Sequence, residues 1–254
     1  MQSPGTGFLH QMNCQNGDDR MLMRLWHGRV WAGRLTDFLA LLSSRAIREY
    51  PQTAGYQGVY AFQRRKDGEV EVLLASFWDS AESLQNFADA DHERATHHNP
   101  EHRDMLIDPA PSAEHFKLVH LHLNPAAPKM GPYAGRPGLG FIMRKWRGRV
   151  PSEKAAEYLE FLKVSGFADY AATPGNLGVY GLQKDNDGIT EFVLITLWES
   201  FAAIRKFAGD DYEKAHYYPE DKDFLMEFEP LVSHYEVALA SPAEGQTTAA
   251  RVIL

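Results

Sequence analysis

The chain has 254 residues, 44% of them hydrophobic and 24% charged, with a formal net charge of −8. That is the balance of a globular protein long enough for one large unit or two ordinary ones. The acidic balance repels phosphate and no Lys/Arg cluster is large enough to offset it, so no nucleic-acid partner is expected. No apolar run reaches the ~18 residues that span a bilayer, so no membrane partner is expected either.

The first 20 residues read as a tail. They have no basic start followed by an apolar core, so a signal peptide is not expected. The lone cysteine, Cys14, lies here and has no internal partner, which fits a reducing, cytoplasmic setting. From Met23 the chain turns regular. Arg24 and Trp26 alternate onto one face of a first strand. Leu35, Phe38, Leu39 and Leu42 then follow at the spacing of one buried helix face. Gly58-Val59-Tyr60, Asp67-Gly68, Trp78-Asp79-Ser80 and Phe87-Ala88 come next, and all of them recur later in the chain.

Met23-Arg24-Leu25-Trp26-His27-Gly28-Arg29-Val30 matches Met143-Arg144-Lys145-Trp146-Arg147-Gly148-Arg149-Val150 at an offset of 120. The same offset aligns every segment just quoted with Gly178-Val179-Tyr180, Asp187-Gly188, Trp198-Glu199-Ser200 and Phe207-Ala208. The same offset pairs Thr96 with His216, and after Asn99 it becomes 119, pairing His115 with His234. Roughly a third of aligned positions are identical, the mark of a duplication. One copy spans residues 21–123 and the other 141–240, with 241–254 a second tail. The intervening 124–140 hold four prolines and four glycines and read as a linker.

The second copy shows the element order most clearly. Phe141 to Val150 is a strand. Pro151-Ser152 opens a helix with Ser as its cap, and Ala155, Tyr158, Leu159 and Leu162 form its buried face. Pro174-Gly175-Asn176 is a turn, Leu177 to Gln183 a strand, Asn186-Asp187-Gly188 a hairpin and Ile189 to Trp198 a strand. Ser200 caps a helix whose Ile204, Phe207 and Ala208 face inward, and Val232 to Leu239 is the last strand. The order is β-α-β-β-α-β, a ferredoxin-like α+β unit with an antiparallel sheet and both helices on one face. The other face needs cover, and the tandem copy supplies it as an intramolecular pseudo-dimer, with further homo-oligomer formation left open.

Arg144-x-Trp146-x-Gly148, Pro174-Gly175-Asn176-x-Gly178, Leu197-Trp198-Glu199-Ser200, Phe207-Ala208-Gly209 and His234-Tyr235-Glu236-Val237 together resemble the antibiotic-biosynthesis-monooxygenase-type (ABM) domain. The resemblance implies a dimeric α+β barrel, a small-molecule pocket between sheet and helices, and an activity such as cofactor-independent oxygenation of a small aromatic or polyketide-like molecule. In that reading Arg144 and Trp146 orient a substrate oxygen, and His216 or His234 removes a proton. Tyr180, Trp198, Phe207 and Tyr217 line the pocket, and Arg24, Trp26 and Trp78 are their first-copy counterparts. A haem-binding or haem-degrading protein with His216 on the iron is the alternative that needs a cofactor. A non-catalytic small-molecule binding module is the third, so whether the chain is an enzyme stays open.

Bland readings stand beside these. Arg24 and Arg144 could instead pair with Glu71 or Glu191, or reach solvent at the barrel rim. Trp78, Trp198, Tyr60 and Tyr180 suit a core. His92, His97, His98 and His102, and His120-x-His122, lack the carboxylates or cysteines that would complete a metal site.

Overall fold

A computed structural model describes residues 21–88, 104–107, 111–124 and 141–242. Cys14, Thr96, Asn99, His92, His97, His98, His102, most of the linker and the last twelve residues lie outside them. The elements run β1 (Leu22–Trp31), α1 (Leu35–Arg48), β2 (Tyr56–Lys66), β3 (Glu69–Trp78), α2 (Ala81–Ala88) and β4 (Ser112–Leu123) in the first half. The second half runs β5 (Ile142–Pro151), α3 (Ala155–Val164), α4 (Gly166–Ala172), β6 (Asn176–Asn186), β7 (Ile189–Trp198), α5 (Phe201–Ala208) and β8 (Ser233–Pro242).

Every pairing is antiparallel, and the eight strands close into one barrel in the order β1-β3-β2-β8-β5-β7-β6-β4. Each half contributes four neighbours, β4-β1-β3-β2 and β8-β5-β7-β6. The seams are made by the last strand of each half, β4 against β6 and β8 against β2. Closure removes every sheet edge, so neither half is left with unpaired backbone groups along a strand.

Period-two alternation then divides the side chains between two layers. Inside the barrel lie Met23, Leu25, Tyr60, Phe77, Met143, Tyr180, Ile195 and Tyr235. Outside, between sheet and helices, each half has its own core: Trp26, Phe38, Val72 and Trp78 in the first, Trp146, Tyr158, Phe192 and Trp198 in the second. No helix among the described residues is long and apolar enough to cross a membrane.

One local expectation needs correction. Ser152 does not cap the helix after β5. A 3-10 turn, Ser152–Lys154, intervenes, and the Ser152 hydroxyl instead meets Thr190 Oγ1 at 3.0 Å. Ser200 does cap α5, accepting from the Ala203 amide at 3.2 Å. The helix expected after Pro151 forms as α3, and α4, which the sequence reading did not separate out, follows Ser165 in a non-helical conformation. That break sets Tyr170 against the sheet.

Candidate functional site

The site is built outward from the first strand of the second half. On β5, Arg144, Trp146 and Gly148 share the helix-side face. A Cβ on Gly148 would sit 2.2 Å from the Trp146 ring, so the indole lies flat along its own strand because position 148 has no side chain. Gly28 does the same for Trp26, at 2.6 Å. The Arg-x-Trp-x-Gly pattern is thus a packing device that brings Arg to the head of the same face.

Arg144 is 1% exposed. Across the sheet it registers with Thr196 on β7 and His234 on β8. Its Nη1 donates to the Tyr212 carbonyl and to His234 Nε2 at 3.1 Å, and its Nη2 donates to the Lys214 carbonyl at 3.0 Å. The Nε–H has no partner. Burial lowers the guanidinium's pKa, partly offset by the neighbouring Tyr170. Among the described residues no carboxylate pairs with it, so the expected ion pairs with Glu71 or Glu191 are not made. The reason is parity: those two glutamates point into the barrel. There Glu71 binds His27, Arg64 and Tyr235, while Glu191 lies 3.5 Å from Arg147. The rim alternative fails too, since Arg144 is enclosed. A buried cation held by two carbonyls and a neutral ring is electrostatically uncompensated.

His234 is that neutral ring. Burial and then the Arg144 charge lower its pKa to about 4. Its Nε2 must accept, because the guanidinium only donates. That lone pair is committed to Arg144, so the ring positions the arginine and does not act as a base through Nε2.

The wall facing Arg144 is aromatic. Tyr170 on α4 packs 4.2 Å, centroid to centroid, from Phe207 on α5 and 6.2 Å from Trp198 at the end of β7. Trp198 Nε1 donates to Thr196 Oγ1 at 2.8 Å. His216 lies beyond this wall, on an exposed segment, with its ring 5.4 Å from Phe207 and 5.2 Å from Tyr218. Tyr217 donates to the Glu229 carbonyl at 2.7 Å and is 3.4 Å from Trp146 Nε1, so it closes over the indole. Tyr180 is not in the site: it faces the barrel interior, 5.7 Å from Phe77, on the opposite side of the sheet.

In the first half, Trp26 stacks on Phe38 and Trp78 Nε1 donates to Ser76 Oγ at 3.0 Å, mirroring Trp198 and Thr196. Arg24 lies 5.9 Å from the Phe87 ring. His120 stacks on Phe167 at 4.1 Å and burial lowers its pKa to about 4. No cluster of three or more metal-ligating side chains occurs among the described residues.

Three contributors escaped the sequence reading: Tyr170, Thr196 and Asn176. Tyr170 carried a usable signal, since Tyr50 precedes it by the repeat offset of 120. Asn176 was read as a turn residue and as part of the Pro174-Gly175-Asn176-x-Gly178 motif, with no role in the site. It is 1% exposed, and neither its Oδ1 nor its Nδ2 has a hydrogen-bond partner.

Residues 21–99, in the first half, match the family model described as Antibiotic biosynthesis monooxygenase. No curated protein matches the chain. Among solved structures, a candidate monooxygenase from Fusobacterium nucleatum is 11% identical, with 89% of this chain and 96% of that one covered and a TM-score of 0.58. An anthrone oxidase-like protein is 15% identical, with 89% and 94% covered and a TM-score of 0.57. A candidate monooxygenase from Lactobacillus acidophilus is 9% identical, with 88% and 97% covered and a TM-score of 0.56. At these identities the likeness is one of fold.

Proposed function

We propose that the second half holds a small aromatic molecule in its ionised enol or phenol form against Arg144 and presents it to dioxygen, as a cofactor-independent oxygenase. The observation that carries the reading is the enclosed Arg144 guanidinium, which among the described residues has no carboxylate partner and whose Nε–H has no acceptor. An anionic oxygen is the ligand that such a group stabilises most, and a preorganised donor in a dry site favours charge that develops during reaction. The ABM domain and the monooxygenase-like fold relatives agree with this class of chemistry.

The substrate is a molecule whose acidic CH2 is conjugated to a carbonyl through a fused aromatic ring, of the anthrone kind. His216, exposed at the rim beside Phe207, takes the proton and passes it to solvent. The enolate oxygen rests on Arg144 Nε–H, which lowers the energy of the anion. The electron-rich carbon reduces dioxygen and a C–O bond forms. The resulting peroxide takes a proton, and loss of water from the hydroperoxide leaves a new carbonyl. One CH2 and one O2 become one C=O and one H2O. Oxygen-electrode assays with anthrone test this. Arg144→Gln is expected to lower kcat about 10²–10³-fold, and His216→Ala about 10²-fold. Wild-type protein that binds anthrone without consuming oxygen would instead be a binding module.

A further inference from the structure

Adjacent residues of β5 face opposite ways. Arg144 and Trp146 point to the helices, while Met143, Lys145 and Arg147 point into the barrel. The repeat places Lys145 where the first half has Leu25, a residue 4% exposed in the barrel core. An eight-stranded barrel has an interior just wide enough for side chains to fill, so this lysine shares its space with whatever faces it. The facing groups come from every other strand. His27 on β1, Arg64 on β2, Glu71 on β3, Glu114 on β4, Glu191 on β7 and Tyr235 on β8 gather with Arg147 toward one mouth of the barrel, where Lys184 on β6 registers with Glu191. The side chains of His27, Arg64, Glu114 and Arg147 are 36–39% exposed, so solvent reaches this mouth. Lys145 is half-buried one layer below, level with Ile195 and Ser233.

Every carboxylate at the mouth already has another partner. Glu71 holds His27, Arg64 and Tyr235, Glu114 accepts from Arg147 at 2.7 Å, and Glu191 lies 3.5 Å from Arg147. Among the described residues Lys145 Nζ makes no hydrogen bond and no ion pair. Its pKa is lowered, first by burial and then by the Arg147 charge. Glu71 and Glu114 oppose the shift, and Arg64 acts with Arg147. A neutral amine carries a free lone pair, and an enclosed lysine beside another cation is a recognised way to make that amine a nucleophile.

We propose that Lys145 is a covalent capture site, whose Nζ, reached through the charged mouth of the barrel, condenses with a small neutral aldehyde or ketone. The site lies on the opposite face of β5 from Arg144 and does not depend on the oxygenase reading. The nitrogen lone pair bonds to the carbonyl carbon, the carbonyl oxygen takes up a proton, and the carbinolamine loses water to leave an imine. One amine and one carbonyl give one imine and one H2O, with no oxidant or reductant. Charge sets the class of ligand: an anionic carbonyl compound would meet Glu71, Glu114 and Glu191, and a cationic one Arg64 and Arg147. Space sets its size, because Leu25, Tyr180 and Ile195 fill the barrel below the mouth.

The test is reductive alkylation of the full chain at pH 7 with limiting acetaldehyde and cyanoborohydride, which fixes the imine as a secondary amine. Peptide mapping by mass gives the rate at each lysine. Lys145 is expected to be labelled about tenfold faster than the exposed Lys66 and Lys206, since one pKa unit is a factor of about ten in neutral amine. Its rate should also level off at a lower pH than theirs. Arg147→Gln should slow labelling of Lys145 severalfold, because it removes the neighbouring cation and frees Glu114. Lys145→Leu installs the first half's own residue and should remove the fast label from a protein that still melts cooperatively. Glyoxylate, an anionic aldehyde, should show a smaller preference for Lys145 over Lys206 than acetaldehyde does. Equal rates at Lys145 and Lys206, or a fast label that survives in Lys145→Leu, overturn the proposal. An unchanged rate in Arg147→Gln overturns the part given to the arginine, and a larger preference with glyoxylate overturns the neutral class of ligand.

Discussion

Glu71 and Glu191 occupy the same place in the two halves, on the barrel-interior face of β3 and β7, and their carboxyls titrate in opposite directions. Burial pushes both upward. At Glu71 the His27 hydrogen bond, the Arg64 charge and the Tyr235 hydroxyl outweigh burial and bring the pKa down to about 2. At Glu191 the Arg147 charge is a partial offset only, and nearby Glu114 adds to the rise. Outside the barrel the contrast repeats, with a tyrosine core around Tyr56 in one half and, in the other, an unsatisfied Asn176 amide two strands away from an Arg144 that has no carboxylate partner among the described residues. A duplicated fold keeps its packing skeleton, the two Trp slots and the Trp-to-hydroxyl bonds, while single polar substitutions set the electrostatics of each copy.

The largest expected effect tests the shared skeleton. Gly148→Ala puts a methyl 2.2 Å from the Trp146 ring and 2.9 Å from Leu225, whereas Gly28→Ala meets only Trp26, at 2.6 Å. Urea unfolding should show Gly148→Ala losing about 3 kcal/mol and Gly28→Ala about 2 kcal/mol. Equal or reversed costs would mean that the two slots are not built as described.

The glutamate contrast is next. The depressed pKa of Glu71 contributes stability that is present above its ordinary value of 4.5 and is lost as pH falls through about 2. Glu71→Gln should therefore cost about 1–2 kcal/mol at pH 7, with the difference from wild type shrinking as pH falls below 4.5. Glu191 has the opposite sign. Its raised pKa contributes stability present below 4.5 and lost as pH rises through the raised value. Glu191→Gln should gain about 0.5 kcal/mol at pH 7. Two losses of similar size at pH 7 would sink the comparison.

The smallest effect concerns His234. Its neutral form is the one that accepts from Arg144, so stability present above the ordinary histidine value of 6.5 is lost as pH falls through about 4. His234→Gln keeps an acceptor that does not titrate. It should remove about 1 kcal/mol of the wild-type acid sensitivity between those values. An unchanged pH profile would show that His234 does not hold Arg144.

The positions of Arg144 and Trp146 were legible because alternation along one strand is a local property. The reading of Tyr180 as a pocket residue failed on parity. Asn176 and Tyr180 are four apart, so plain alternation puts both on one face. The bulge between Asn176 and Gly178 shifts the count by one, sending Asn176 to the helix side and Tyr180 into the barrel. The one local sign of that bulge was the in-strand Gly178, matched by Gly58 at the equivalent bulge in β2. Likewise, that His234 Nε2 is taken up by Arg144 follows from a contact between residues 90 apart in the chain.

The sequence by itself determined the duplication, the β-α-β-β-α-β order and most of the buried faces, because repeats and hydrophobic periods are written between near neighbours. Only the tertiary structure decided the site. The partners of Arg144 are carbonyls at Tyr212 and Lys214 and a ring at His234, which lie 68, 70 and 90 residues away along the chain. Barrel closure and the path of the segment after α5 bring them together, and no local periodicity encodes contacts made at such separations.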